Sequence, residues 1–258
     1  MRSDIYTKLL LHCDGADGSQ VFIDSATNKS VTVSNQAQVD TAYSKFGGAS
    51  LLLDGTTDYL TYANNADWDF GTGDFTVDFW VRRNGDISSN AGIITAASGT
   101  PLGWQIIFNA AANANKIHFA SKASGTWGVD ILSNVTIADT TWTHVAVVRY
   151  GNTVTMYFAG QSVGTKNVTG YTYNSSANGL SIGRNMTDAT TYCLAGWLDE
   201  IRVSKGIARW TSNFTPPTSP YDTPSGGILN WWISFSQAWR KHDKLWTPKL
   251  KLQEGFSY

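Results

Sequence analysis

The sequence is poor in charge and poorer still in glutamate. Charged residues make up 15% of the 258, against roughly 25% in an ordinary soluble domain, and the only glutamates are Glu200 and Glu254. That leaves no pair of nearby glutamates to act as nucleophile and raised-pKa acid, two roles that retaining glycoside hydrolysis gives to a pair of carboxyl groups, and such chemistry is not expected. A formal net charge of −1 carries no sign of a polyanion binder, so no nucleic acid is expected as a partner and a membrane surface is not favoured. Two cysteines, Cys13 and Cys193, each sit next to a terminal strand, where a disulfide between them is the alternative to the expectation of two free buried thiols. The four histidines are scattered, with no spacing suited to a transition metal, and neither a Gly-x-Ser-x-Gly elbow nor a phosphate-cradling glycine loop occurs. No apolar run approaches the ~20 residues of a membrane span, and Met1-Arg2-Ser3-Asp4 begins no apolar leader, so neither spanning nor leader-directed export is expected.

What the chain has in quantity is Thr, Ser, Asn, Gly and aromatic residues, arranged as short strands with turn residues at the joints. Asp74 to Arg82 shows the clearest period of two: Phe75, Val77, Phe79 and Val81 face one way, Thr76, Asp78, Trp80 and Arg82 the other. Trp142 to Tyr150 and Val154 to Phe158 read as a hairpin around Gly151-Asn152. Other strands are expected at Ile5 to His12, Val21 to Ile23, Val31 to Val33, Ser50 to Leu53, Tyr59 to Tyr62, Gly92 to Ala97, Gly103 to Asn109, Lys116 to Ser121, Trp127 to Leu132 and Leu180 to Gly183. Asn64 to Gly73 reads as a loop or one helical turn. From Leu194 to Val203 strict alternation puts Trp197, Asp199, Ile201 and Val203 on one side, and Leu198, Glu200 and Arg202 on the other. Asp199 then sits on an apolar side, where an ionised carboxylate needs a cation, a metal or several N–H donors. A short helical turn is expected at Ile207 to Trp210, closed off by Pro216-Pro217. Many short strands and no convincing amphipathic helix before Pro217 predict an all-β fold, a two-sheet antiparallel β-sandwich of jelly-roll type.

Four stretches carry a resemblance: SLLLDGTTDYL from Ser50, DFTVDFWVR from Asp74, WTHVAVVRYGNTVTMYFAG from Trp142 and LAGWLDEIRVSKGIARWTSNFTPP from Leu194. In that order and spacing they resemble the laminin-G-like, concanavalin A-like jelly roll, in the version found in bacteriophage tail and virion-surface proteins. The resemblance implies a jelly-roll domain over residues 1–221. It further implies a non-enzymatic virion protein of a tail fibre or capsid, made in the host cytoplasm and displayed on the particle. The expected partners are a host-surface glycan, other virion proteins and sister subunits, in a homo-oligomer for which a trimer is the guess. A purely structural decoration protein is the alternative. A polysaccharide hydrolase or lyase is a third, and it would turn on Asp78. Domains resembling this one often hold a structural Ca²⁺ where the first and last strands meet; Asp14, Asp24 and Asp199 are the candidate ligands here, since hard carboxylate oxygens suit that ion.

Carbohydrate binding calls for an aromatic platform beside amide or guanidinium groups, because sugars stack their C–H faces and hydrogen-bond their edges. The candidates are Trp104, Trp127, Arg184, Asn185 and Tyr192. Residues 222–227 read as a linker. Beyond it, Ile228, Trp231, Trp232, Phe235 and Trp239 recur at helical spacing, and Trp246 and an extended arm follow, in a basic tail, helical or extended. An exposed aromatic stripe requires cover, so Trp231, Trp232, Phe235, Trp239 and Trp246 are expected to dock the domain onto sister subunits or the particle.

Overall fold

A computed structural model describes residues 4–87, 90–96, 103–109, 113–123, 126–174, 178–186 and 192–222, all within one compact unit, Met1–Thr223. The five tail aromatics lie outside the described residues. Two antiparallel sheets face each other, with strands numbered in chain order. The eight-stranded sheet runs β13 (Gln161–Asn167), β12 (Thr153–Phe158), β11 (Thr143–Tyr150), β6 (Phe75–Arg83), β15 (Ala195–Lys205), β4 (Ser50–Asp54), β3 (Gln38–Asp40), and β1 (Thr7–Leu11) also pairs with β15. The seven-stranded sheet runs β10 (Thr126–Leu132), β9 (Ile117–Ala123), β8 (Gly103–Phe108), β7 (Gly92–Thr95), β14 (Leu180–Ile182), β5 (Tyr59–Tyr62), β2 (Thr32–Ser34). The expected all-β sandwich is therefore the fold.

Phe75, Val77, Phe79 and Val81 of β6 point into the core, as their alternation predicts, and meet Leu60, Ile94, Ile106, Phe108, Phe119 and Ile182 from the facing sheet. Each such side chain contributes about 1.5–3 kcal/mol by leaving water. The hairpin at Gly151-Asn152 forms between β11 and β12, and a 3₁₀ turn at Ala66–Trp68 lies inside the segment read as loop or helical turn. Both cysteines are buried free thiols.

The last strand departs from its predicted alternation. Asp199 pairs with Trp80 but Arg202 pairs with Asp78, so Glu200 and Ile201 together oppose the single residue Phe79. Glu200 takes a left-handed backbone, φ 49°. This bulge switches faces mid-strand: Leu198, Ile201 and Val203 enter the core, whereas Asp199 and Arg202 lie on the opposite side with their partners Trp80 and Asp78. Asp199 is thus not core-facing, although a covering layer still buries it fully.

The chain after the last strand is the second departure. After Gly206 no helix forms; the chain crosses the outer face of the eight-stranded sheet as an irregular strap. Arg209 N–H donates to Thr76 Oγ1 (3.0 Å), Phe214 N–H to the Gly160 carbonyl (2.9 Å) and Tyr221 N–H to Glu200 Oε2 (2.7 Å). Ala208, Trp210 and Phe214 pack on Ala146, Val148 and Tyr157. Two strands, β3 and β13, were not expected, and Val21 to Ile23, expected as a strand, is irregular, with Val21 and Ile23 exposed.

Candidate functional site

Under the strap lies a buried polar network around Asp78, the residue on which the hydrolase or lyase alternative turns. Asp78, on the outer side of β6, accepts two 3.0 Å hydrogen bonds from Nε and Nη2 of Arg202 and a third from the Tyr221 hydroxyl. His144 Nε2 lies 3.2 Å from that hydroxyl, and Arg202 stacks 3.7 Å over the Tyr221 ring. Burial alone would raise the Asp78 carboxyl; the Arg202 charge and the His144 contact outweigh it and hold the group at about 2. Glu200, re-aimed by the bulge, joins His12 Nδ1 (2.7 Å) to Tyr221 N–H (2.7 Å). Asp78 and Glu200 are 0% and 1% exposed. A polysaccharide cannot reach either, so their chemistry is that of a clasp between strap and sheet, and Asp78 is not a catalytic acid.

The outer face of the seven-stranded sheet is of a different kind. Register aligns one residue per strand across it: Ala120, Gln105, Thr95, Ser181, Thr61 and Thr32. Beyond this row, β14 runs into Gly183-Arg184-Asn185. The carbonyl of Arg184 accepts from Thr95 Oγ1 (2.9 Å), and its guanidinium lies 4.4 Å from the Tyr59 ring centroid. Asn185 Nδ2 donates to the Asn90 carbonyl (3.1 Å), and both Gly92 N–H and Asn185 N–H donate to the carbonyl of Tyr192. Arg184 Nε and Gln105 Oε1 are buried without partners. Buried polar atoms are nearly always paired, so each is unspent hydrogen-bonding capacity.

Arg184, Asn185 and Tyr192, three of the sequence candidates, are brought together here. Trp104 is not: its ring is fully buried, stacks on Phe70 (5.0 Å) and donates Nε1–H to the Trp68 carbonyl, which leaves no face for a sugar. The side chain of Trp127 lies outside the described residues. Tyr59, Thr95 and Gln105 escaped the sequence reading; the available signal was their outward position in strands of known alternation.

The three aspartates offered to Ca²⁺ do not converge as a set. Asp24 spends both oxygens on Leu10 N–H, Ala26 N–H, Lys29 N–H and the Thr27 hydroxyl. Asp199 Oδ2 accepts from Lys45 N–H (2.8 Å) and Phe46 N–H (3.1 Å) while Oδ1 is buried and unpaired; burial, partly offset by those two donors, pushes its carboxyl up to about 7. Asp14 abuts the same turn at Gly47. Among the described residues no three His, Cys, Asp or Glu side chains are grouped to hold a metal.

The sequence pattern of the concanavalin A-like lectin/glucanases superfamily, in its laminin-G-like form, matches residues 54–209. The chain belongs to that superfamily. Similar solved structures include domain 4 of AbnA, a GH43 extracellular arabinanase from Geobacillus stearothermophilus, in complex with arabinotriose. It matches with TM-score 0.60 and 18% identity over 78% of this chain and 93% of the domain. The binding domain of the Paraclostridial Mosquitocidal Protein 1 matches with TM-score 0.60 and 16% identity over 78% of this chain and 49% of its own. Botulinum neurotoxin type C, described as entering cells through two ganglioside molecules, matches with TM-score 0.57 and 16% identity over 78% and 48%. This superfamily member therefore spans about half the length of the toxin chains and nearly all of the arabinanase domain. No curated protein sequence matches it.

Proposed function

We propose that the chain is a non-catalytic carbohydrate-binding module whose binding edge is formed by Arg184 and Tyr59. The observation that carries this reading is the half-buried Arg184 guanidinium 4.4 Å from the half-buried Tyr59 ring. A guanidinium donates to sugar hydroxyls and a pyranose C–H face packs on an aromatic ring, so one sugar would engage both. Superfamily relatives that bind arabinotriose and gangliosides support the class of ligand. The motifs resembling phage tail and virion-surface proteins supply the setting we propose, attachment of a particle to a bacterial surface glycan. A hydrogen bond to a charged group contributes about 1.5–3 kcal/mol, so Arg184→Ala should weaken binding to a glycan array and to host cells roughly tenfold or more, with the melting temperature little changed. Equal binding by the variant would remove Arg184 from the site.

A structural Ca²⁺ at Asp199 and Asp14, completed by carbonyl oxygens, is a second element of the proposal, and it rests on the unpaired Asp199 Oδ1. In EDTA a carboxyl raised from 3.8 to about 7 favours folding fully below pH 3.8 and loses that contribution as pH rises through 7. Melts from pH 4 to 8 should therefore show falling stability for the wild type in EDTA, a flatter profile for Asp199→Asn, and at pH 8 a rise in Tm with Ca²⁺ confined to the wild type. A wild-type Tm indifferent to Ca²⁺ counts against the ion.

A further inference from the structure

A cleft of about 220 Å³ opens on the eight-stranded sheet's outer face, where the strap meets the β11–β12 hairpin. Its position follows from two alternations. On β12, Val154 and Met156 enter the core, so Thr153, Thr155 and Tyr157 turn outward. On β11, Val145 and Val147 enter the core, so Tyr150 joins them. Trp210 and Thr211 of the strap close the opposite wall. The walls are held rigidly: Trp210 stacks on Phe214 with centroids 4.1 Å apart and planes 8° apart, the strap is pinned at Arg209 and Phe214, and Thr155 is held to Thr165 at 3.4 Å.

The lining chemistry narrows the occupant. Three aromatic rings and three threonine hydroxyls line the cleft, and none of its lining side chains carries a charge. An anion, a nucleotide or a charged peptide would find no counter-ion there, and a purely apolar ligand would strand the hydroxyls. A neutral sugar ring offers what these walls accept, a C–H face for the aromatics and hydroxyls for the threonines. The cleft is smaller than the ~300–1,000 Å³ of pockets that enclose drug-sized ligands, which suits one ring at the end of a chain. Tyr150, 62% exposed, is the large aromatic left standing at its mouth.

We infer that this cleft is a second carbohydrate subsite, for a single neutral sugar residue, remote from the Arg184 edge and on the opposite sheet. The inference rests on the reading of the chain as a carbohydrate-binding module, and its test separates the two. The full chain is screened on a glycan array that includes arabinotriose, and each hit is titrated calorimetrically with the wild type, Tyr150→Ala, Thr211→Trp and Arg184→Ala, with melts run in parallel. The expected result is two sites per chain for at least one glycan, reduced to one by Tyr150→Ala, by cleft-filling Thr211→Trp and, at the other site, by Arg184→Ala, with Tm unchanged for Tyr150→Ala. Binding abolished by Arg184→Ala and untouched by both cleft variants overturns the second subsite and leaves the first. Binding lost with the cleft variants and untouched by Arg184→Ala supports the cleft and overturns the Arg184 edge. An array blank for the wild type overturns both.

Discussion

Asp78→Ala is expected to destabilise the fold by about 3–5 kcal/mol, a large share of the 5–15 kcal/mol that holds an ordinary domain together. The reason is what the substitution leaves behind. Arg202 is 0% exposed, Asp78 supplies its two 3.0 Å carboxylate contacts, and Nη1 already lacks a partner. Without the carboxylate a guanidinium stays charged in a site closed to water, and the Tyr221 hydroxyl loses its acceptor. The strap should loosen along with it. Replacing both partners by apolar residues, Asp78→Leu with Arg202→Met, removes charge and counter-charge together and should recover most of the loss. Because the Asp78 carboxyl is held at about 2, its contribution is present above pH 3.8 and lost only as pH falls through 2. Urea denaturation of the single and double variants checks this; a single variant as stable as the wild type contradicts the clasp. A hydrolase relying on Asp78 would instead lose turnover with the fold intact.

Gly92→Ala is expected to strike stability and binding together. A Cβ at Gly92 would overlap the backbone of Arg184 and Asn185, which has no soft side chain to swing aside. That close approach is what lets Gly92 N–H and Asn185 N–H share the Tyr192 carbonyl and Gly183 N–H reach the Ile93 carbonyl (2.9 Å). Overpacking of this kind costs about 1–3 kcal/mol, and against rigid backbone the upper end is expected. The relief comes by pushing residues 184–185 off β7, which carries the guanidinium away from the Tyr59 ring. Affinity should therefore fall at least as far as in Arg184→Ala, with a lower Tm that the arginine variant does not show. Calorimetry and thermal melts on the two variants side by side make the comparison.

Much of the scaffold was legible in the sequence because its rules are local. Period-two alternation placed Phe75, Val77, Phe79 and Val81 in the core, and Gly151-Asn152 placed a hairpin. The bulge was not legible: a glutamate at positive φ carries no glycine or asparagine signal, and without it alternation assigns Asp199, Ile201 and Val203 to one face. The strap was misread as a helical turn because Ile207 and Trp210 have helical spacing, whereas their conformation is set by long-range partners such as Thr76 and Gly160. For the binding edge, Arg184, Asn185 and Tyr192 were found as polar and aromatic residues near turns. Trp104 satisfied the same rule yet lies inside with Ile106 and Phe108, the face to which the alternation of β8 assigns it. The orphaned Arg184 Nε and Gln105 Oε1 exist only in three dimensions.

The most direct measurement is a glycan-array screen of the full chain, followed by chromatography of each bound glycan after prolonged incubation. The account predicts binding to at least one glycan, weakened about tenfold or more by Arg184→Ala, with every glycan recovered intact. A blank array, or shortened or unsaturated fragments released by the wild type, would contradict it.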